Sequence, residues 1–120
     1  MVDNIGVSAF EGCSSLTKVS IPSSVKIIDD YAFKHCKSIE EISLPHEITK
    51  IGESAFEDCL FMKKIEIPDT LSIIGNFAFR QCKSLKEISI PKNITTIGRC
   101  LFLGCSSLKR ISIPPLVKKI

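Results

Sequence analysis

The 120-residue chain repeats one pattern of apolar and polar positions every 23 residues. The phrase first appears as FEGCSSLTKVSIP at residues 10–22 and recurs four times without an insertion. One register holds Phe10, Phe33, Phe56, Phe79 and Phe102, and another holds Cys13, Cys36, Cys59, Cys82 and Cys105. A unit of this length cannot bury its apolar side chains alone, so the repeat predicts a solenoid of stacked units.

Each unit contains two predicted elements. Val19 and Ile21 alternate with Lys18 and Ser20, which predicts a strand with one buried face. The proline after each such strand removes a backbone donor and ends the ladder.

The second predicted element lies between the isoleucine and cysteine registers. Its apolar residues, Ile5, Ala9, Phe10 and Cys13, are spaced as in a short helical turn that faces the core. A glycine precedes this turn in four units and predicts a tight bend or a positive φ there. Asp29 takes this place in the second unit, and aspartate tolerates such conformations moderately well.

The motif L-x-x-[VI]-x-[IL]-P-x-x-[VIL]-x-x-I-G-x-x-A-F-x-x-C resembles the BspA-like, or treponemal-type, leucine-rich repeat over essentially the whole chain. The residues that carry it include Leu16, Val19, Ile21, Pro22, Ile51, Gly52, Ala55 and Phe56. The resemblance implies an α/β fold: a right-handed solenoid with a parallel sheet on its concave face and short helical turns on the other side. It also implies a cell-surface or secreted protein that takes part in adhesion, and it supplies no catalytic motif.

We interpret residues 1–120 as one domain and as a fragment of a longer array. The repeat units are 5–27, 28–50, 51–73, 74–96 and 97–119. The chain begins in register at Val2–Ile5 and stops at Ile120 without a distinct cap at either end. Solenoids usually carry polar caps, so end-to-end association into a homo-oligomer is an alternative.

The bulk composition narrows the classes of partner. The chain has 44% hydrophobic and 24% charged residues, with a net charge of +3. A nucleic-acid binder would carry a basic stripe interleaved with aromatics, whereas most phenylalanines here occupy a core register. No apolar run is long enough to span a membrane, and the N-terminus does not resemble a signal peptide. We therefore expect no nucleic-acid partner and no membrane insertion.

The cysteines and histidines are interpreted as structural. Five cysteines share the core register and are predicted to be free thiols that pack as small apolar groups, and no C-x-x-C pair points to a metal. Cys100 stands outside the register and is the candidate for an exposed, oxidisable thiol. His35 adjoins Cys36, but neighbouring side chains on a turn point in different directions, so we do not expect these two residues to form a catalytic pair. We predict that the chain is not an enzyme and binds no cofactor. Asn93 opens a sequon that glycosylation could use.

The candidate binding positions are those that vary between units. The first outward register of the predicted strand alternates in charge and comprises Lys18, Glu41, Lys64, Glu87 and Arg110. The next outward register is small and polar and comprises Ser20, Ser43, Glu66, Ser89 and Ser112. A third register, Glu11, Lys34, Glu57 and Arg80, also alternates. Alternation favours self-neutralised stacking, and it is also compatible with a polar recognition face, because a charge ladder positions side chains for a partner too.

Apolar residues outside the core registers are the other candidates. Leu60 and Phe61 replace the serines and lysines of the other units, and Tyr31, Phe77 and Leu103 are similar exceptions. Exposed apolar side chains at variable positions are typical of contact sites. The predicted function is protein–protein interaction within a cell-surface or secreted adhesin-like protein that binds host or matrix proteins. An intracellular scaffold in the cytoplasm and a self-assembling repeat are the alternatives.

Overall fold

The fold is a parallel β-solenoid of about five coils. A computed structural model describes residues 3–114 and contains nine strands within that range. They are β1 (Asn4–Ile5), β2 (Lys18–Ser20), β3 (Ile27–Ile28), β4 (Glu41–Ser43), β5 (Lys50–Ile51), β6 (Ile73–Ile74), β7 (Glu87–Ser89), β8 (Thr96–Ile97) and β9 (Arg110–Ser112). The final register position at Ile120 and the start at Val2 lie outside the described residues.

One stack of strands, the short-strand sheet, runs β1-β3-β5-β6-β8 in parallel. Its register advances by 23 residues at each step, as in the pairing of Ile5 with Ile28 and of Ile28 with Ile51. The second residue of each strand is a buried isoleucine. The isoleucine register of the sequence therefore forms one wall of the core.

The predicted alternating strands form the opposite wall, here called the long-strand face. β2 pairs with β4 and β7 pairs with β9, both in parallel and in the 23-residue register. The third coil joins these pairs through isolated bridges from Lys64 to Glu41 and to Glu87. All five units thus align on this face, although the third contributes single bridges rather than a strand.

The core between the two walls consists of columns of equivalent residues. The phenylalanine rings stack face to face from Phe10 to Phe102, with centroids 5.3–6.3 Å apart at successive steps. Ile39, Met62 and Leu85 form a second column and are fully buried. The repeat predicts this arrangement because each coil supplies the same side chain to the same layer.

The prediction of helical turns is wrong for the described residues, since residues 3–114 contain no helix. In the second coil, the N–H groups of Tyr31, Phe33 and His35 donate to carbonyls of the next coil at 2.8–2.9 Å. The N–H groups between them bond three residues back, as Lys34 does to Tyr31 at 3.2 Å. Tyr31 and His35 have φ values of 60° and 61°, which a right-handed helix excludes. The backbone alternates between turn and ladder bonds.

The sequence predicts a tight bend or a positive φ at the glycine before this segment, and the second of these alternatives is wrong. The positive φ values fall two and six residues later, and among the described glycines only Gly12 and Gly104 have one. A Cβ on Gly75 would lie 2.6 Å from the backbone nitrogen of Glu53 and 2.7 Å from the carbonyl carbon of Gly52. Glycine is required there because adjacent coils touch through their backbones.

The proline that ends each alternating strand also opens the turn to the next short strand. The carbonyl of Pro22 accepts the N–H of Val25 at 3.1 Å, and Pro45 accepts from Ile48 at 3.3 Å. These i to i+3 bonds close a β-turn. The chain therefore crosses from the long-strand face to the short-strand sheet at the same point in each unit.

Candidate protein-recognition face

The long-strand face brings the two outward registers predicted from the sequence into one exposed surface. All ten of these side chains are exposed: Lys18, Ser20, Glu41, Ser43, Lys64, Glu66, Glu87, Ser89, Arg110 and Ser112. Two shallow grooves lie on this surface, with volumes of about 970 Å³ and 680 Å³. The face therefore combines exposed polar side chains with concave grooves in which a partner could bind.

The two grooves meet at the third coil. The larger one lies over the first three coils and includes Ser43 and His46, and the smaller one lies over the last three and includes Ser89. Both are bordered by Lys64 and Glu66. Glu66 is the one large side chain in a register of serines, so it divides an otherwise continuous hydroxyl-lined surface.

The alternating charges of the first register pair only in part. Lys18 Nζ lies 4.0 Å from a carboxylate oxygen of Glu41, and both side chains are 75% exposed. Lys64 instead lies 3.3 Å from Glu66, two residues along its own coil. Ion pairs this exposed contribute little to stability, so these charges remain available to a partner.

The ion pairs of the third register, which contains Lys34, Glu57 and Arg80, are more buried than those of the first outward register. Glu57 is 8% exposed, and its two carboxylate oxygens face Lys34 Nζ at 3.9 Å and Arg80 Nη1 at 3.5 Å. Lys34 Nζ also lies 5.3 Å from the ring centroid of Tyr31, and Arg80 Cζ lies 5.7 Å from that of Phe77. Because the cations cover them, Tyr31 and Phe77 are half-buried rather than open apolar contacts.

Two polar contacts near this network were not predicted from the sequence. The Tyr31 hydroxyl donates to Glu53 at 2.6 Å, and this hydrogen bond raises the pKa of Tyr31. His35 Nδ1 lies 2.7 Å from a carboxylate oxygen of Asp58. His35 and Asp58 are 23 residues apart, so comparing residues one period apart would have found this pair.

The cysteine column is a set of free thiols, as predicted. Cys36, Cys59 and Cys82 are fully buried, and each thiol donates to the carbonyl of the phenylalanine 26 residues earlier at 3.0–3.4 Å. Burial raises the pKa of Cys36 to about 11, so its thiol is protonated at neutral pH and is not an activated nucleophile. Cys100 is exposed, as predicted. No cluster within residues 3–114 has three or more His, Cys, Asp or Glu side chains placed to hold a metal ion.

The apolar candidates differ in how far they are exposed. Phe61 is 56% exposed and Leu103 is 50% exposed, whereas Leu60 is half-buried. Asn93 is exposed, and its side-chain amide donates to the carbonyl of Asp69 at 2.9 Å. No helix within residues 3–114 has the length and apolar character needed to cross a bilayer.

A parallel solenoid with a phenylalanine stack and one grooved, polar face has the architecture of a leucine-rich repeat protein. Known families and structures agree with this class. The profile of the BspA type leucine-rich repeat region matches residues 3–120 in six copies, where the sequence shows five complete phrases. The chain belongs to the BspA-type leucine-rich repeat family. No curated protein sequence matches the chain.

Several solved structures share the fold. A T. pallidum leucine-rich repeat protein is 30% identical, with a TM-score of 0.86 over 95% of this chain. A leucine-rich cell surface protein of Faecalibacterium prausnitzii is 35% identical, with a TM-score of 0.88 over 92%. The pneumococcal vaccine antigen PcpA is 28% identical, with a TM-score of 0.78 over 91%. The chain spans 64%, 29% and 27% of the lengths of these three chains, respectively.

Leucine-rich repeat proteins are generally non-enzymatic interaction modules, and the family membership of this chain indicates a protein-interaction module. The related structures include a cell-surface protein.

Proposed function

We propose that the chain is a protein-recognition module of a cell-surface or secreted adhesin-like protein, without catalytic activity of its own. It binds a host or matrix protein through the long-strand face. The observation that carries this proposal is the pair of grooves that run across all five coils beneath exposed, weakly paired charges.

The division of residues between core and surface supports this proposal. The repeated phenylalanine, cysteine and isoleucine positions are buried in the central coils, whereas the two outward registers are exposed. The first of these registers changes charge from coil to coil, and the second is serine except at Glu66. Differences confined to an exposed face change which partner fits without disturbing the fold. The long-strand face is therefore where specificity is encoded.

The location and the lack of catalysis rest on separate observations. A solved relative at 35% identity is a cell-surface protein, which supports a surface location for this chain. Cys36, the thiol next to a histidine, has a pKa raised by burial, and His35 is paired with Asp58 rather than with that thiol. This pairing leaves the thiol without a base that could activate it.

The test is direct binding of the purified chain to a panel of purified matrix proteins. Ser43→Arg and Ser89→Arg would each fill one groove with a long charged side chain, and Thr96→Arg is the matched control on the short-strand sheet, where Thr96 is also exposed. We expect a groove variant to weaken binding about tenfold or more and the control to bind as the parent does. Binding to no matrix protein would overturn the adhesin assignment.

Two further variants test whether the long-strand face is the surface that binds the partner. Phe61→Ser removes the exposed aromatic at its border, and Glu87→Lys reverses a charge within the smaller groove. If a matrix protein binds and none of the four face variants changes its affinity, the long-strand face is not the binding surface.

A further inference from the structure

One register of charges in the chain does not alternate. It lies just before the long strands and reads Thr17, Glu40, Lys63, Lys86 and Lys109. Its last three members are exposed lysines in successive coils. The N–H of Lys86 donates to the carbonyl of Lys63 at 3.2 Å, and the N–H of Lys109 donates to that of Lys86 at 2.8 Å. These three residues, the lysine ladder, therefore stack directly on one another.

The ladder is not neutralised within the chain. No carboxylate among residues 3–114 lies within 4.0 Å of an Nζ atom of these three lysines. Glu40 occupies the same register one coil earlier, and Glu87 follows Lys86 in the sequence. Like charges opposite each other on neighbouring strands are unfavourable, and the alternating registers avoid this arrangement. The ladder therefore keeps a repulsion that an external anion would relieve.

Neighbouring residues strengthen the positive charge. The ladder lies beside the first outward register, so the last three coils present the stacked pairs Lys63-Lys64, Lys86-Glu87 and Lys109-Arg110. These pairs hold five cations and one carboxylate, and among residues 3–114 only Lys64 of these cations has a carboxylate partner, Glu66. Stacked coils repeat about every 4.8 Å, so a linear polyanion along the solenoid would meet a new ammonium at each coil.

The surroundings of the ladder favour a polysaccharide. Two residues before each lysine stand Phe61, Ser84 and Ser107. Serine hydroxyls can both donate to and accept from sugar hydroxyls, whereas a single-stranded nucleic acid needs a series of aromatic platforms and Phe61 is one ring. The N–H groups of Lys86 and Lys109 already bond to the preceding coils, which disfavours the addition of a peptide here as a β-strand. Lysine acts as a point charge and suits regularly spaced anions.

We propose that the lysine ladder binds a linear sulfated polysaccharide of the glycosaminoglycan type, lying along the solenoid axis. This activity goes beyond the recognition of a protein, since it uses a different chemistry; its site overlaps the edges of the two grooves, which Lys63 and Lys109 also line. Sulfate groups on successive sugars would meet Lys63, Lys86 and Lys109 in turn.

The test is titration calorimetry of the chain with a size-defined, fully sulfated heparin oligosaccharide across a salt series. The triple variant Lys63→Gln/Lys86→Gln/Lys109→Gln removes the ladder, and Lys26→Gln/Lys50→Gln/Lys92→Gln removes the same charge elsewhere. We expect the ladder variant to bind about 10- to 100-fold more weakly near physiological salt, with a salt slope lower by about one per lysine. The control variant should keep most of the affinity.

Three results would overturn the proposal. The parent chain could fail to bind the oligosaccharide even at low salt, or the two triple variants could lose affinity equally, which would reduce the effect to net charge. A single-stranded polythymidine of the same charge could bind as tightly, which would assign the ladder to nucleic acid. Circular dichroism melts of both triple variants check folding, and relief of the lysine repulsion should leave the ladder variant at least as stable as the parent.

Discussion

The ring of Phe56 lies parallel to the ring of Phe33 in the preceding coil, with centroids 5.5 Å apart and planes inclined by 1°. On its other side, Phe56 faces Phe79 at 5.7 Å. Phe56 has no solvent-exposed surface. The central ring therefore joins three coils, and each coil depends on its neighbours to cover its own ring.

Replacing Phe56 with alanine should destabilise the whole solenoid. The change removes a buried ring and leaves a cavity between two coils, so we expect a loss of about 3–5 kcal/mol in the free energy of unfolding. Urea titration followed by circular dichroism measures this loss. Phe61→Ala, at a 56% exposed ring, is the matched control and should change stability by about 0.5 kcal/mol or less. Similar losses for the two variants would contradict the central role of the stack.

Much of the core follows from the period of the sequence alone. A fixed 23-residue spacing places equivalent side chains in one layer, so the burial of Phe33, Cys59 and Ile51 was predicted from the register. The local backbone was not predictable in this way. Apolar spacings of four and five residues fit a helical turn, and they also fit a backbone that alternates between bonds to its own turn and to the next coil. The apolar pattern is the same for both conformations.

The candidate face was predictable in its position but not in its pairing. Register alone places Lys18 against Glu41, and the structure confirms that contact. The same reasoning would pair Lys64 with Glu41 or Glu87, yet its ammonium lies beside Glu66. A long exposed side chain can form ion pairs with several partners that differ little in free energy. The register alone therefore does not predict which partner Lys64 contacts.

Gly75→Ala should test the close approach of neighbouring coils. The new Cβ would lie 2.6 Å from the backbone nitrogen of Glu53, so the coils would have to separate. We expect a destabilisation of about 1–3 kcal/mol, measured by thermal or urea unfolding. Gly6 occupies the same register with nothing within 4 Å of its Cβ position, so Gly6→Ala is the control and should be close to neutral. If both variants melt with the parent, close packing is not the reason for glycine here.

Glu57→Gln should show that the third charged register stabilises the fold more than the exposed one does. Glu57 is 8% exposed between two cations, and its neutralisation leaves Lys34 and Arg80 without a carboxylate. We expect a loss of about 1–3 kcal/mol. Glu87→Gln, on the exposed face, should change stability by about 0.5 kcal/mol or less. Parallel urea titrations measure the loss in the free energy of unfolding for each variant. Equal losses for Glu57→Gln and Glu87→Gln would contradict a stabilising role for the ion pairs of Glu57.

The six cysteines should differ sharply in their reactivity toward a disulfide reagent such as DTNB. Cys100 is exposed and should react first. Cys36 has a pKa raised to about 11 by burial, so at pH 8 only about one thiol in a thousand is the reactive thiolate. Time courses of the native chain should show a fastest phase that Cys100→Ser removes, and Cys36, Cys59 and Cys82 should react last. Rapid modification of all thiols without denaturant would contradict the burial of the column.

The stability of the fold should fall as the pH rises above 9, because the thiol column must stay protonated. Burial raises the pKa values of Cys36, Cys59 and Cys82 above the ordinary value of 9.0. Above that pH the unfolded chain releases thiol protons that the folded chain retains, so the unfolded state binds fewer protons and stability declines with pH. For Cys36, the decline spans roughly pH 9 to 11.

Cys36→Ala should isolate this contribution from other groups that titrate at high pH. The variant should be less stable than the parent at pH 7, because a buried sulfur and its hydrogen bond to Phe10 are lost, yet it should lose less stability between pH 8 and pH 10. Urea titrations at several pH values measure both slopes. Cys100→Ser should follow the parent throughout, because its thiol is exposed. Parallel curves for Cys36→Ala and the parent would mean that the protonation of this buried thiol is not linked to folding.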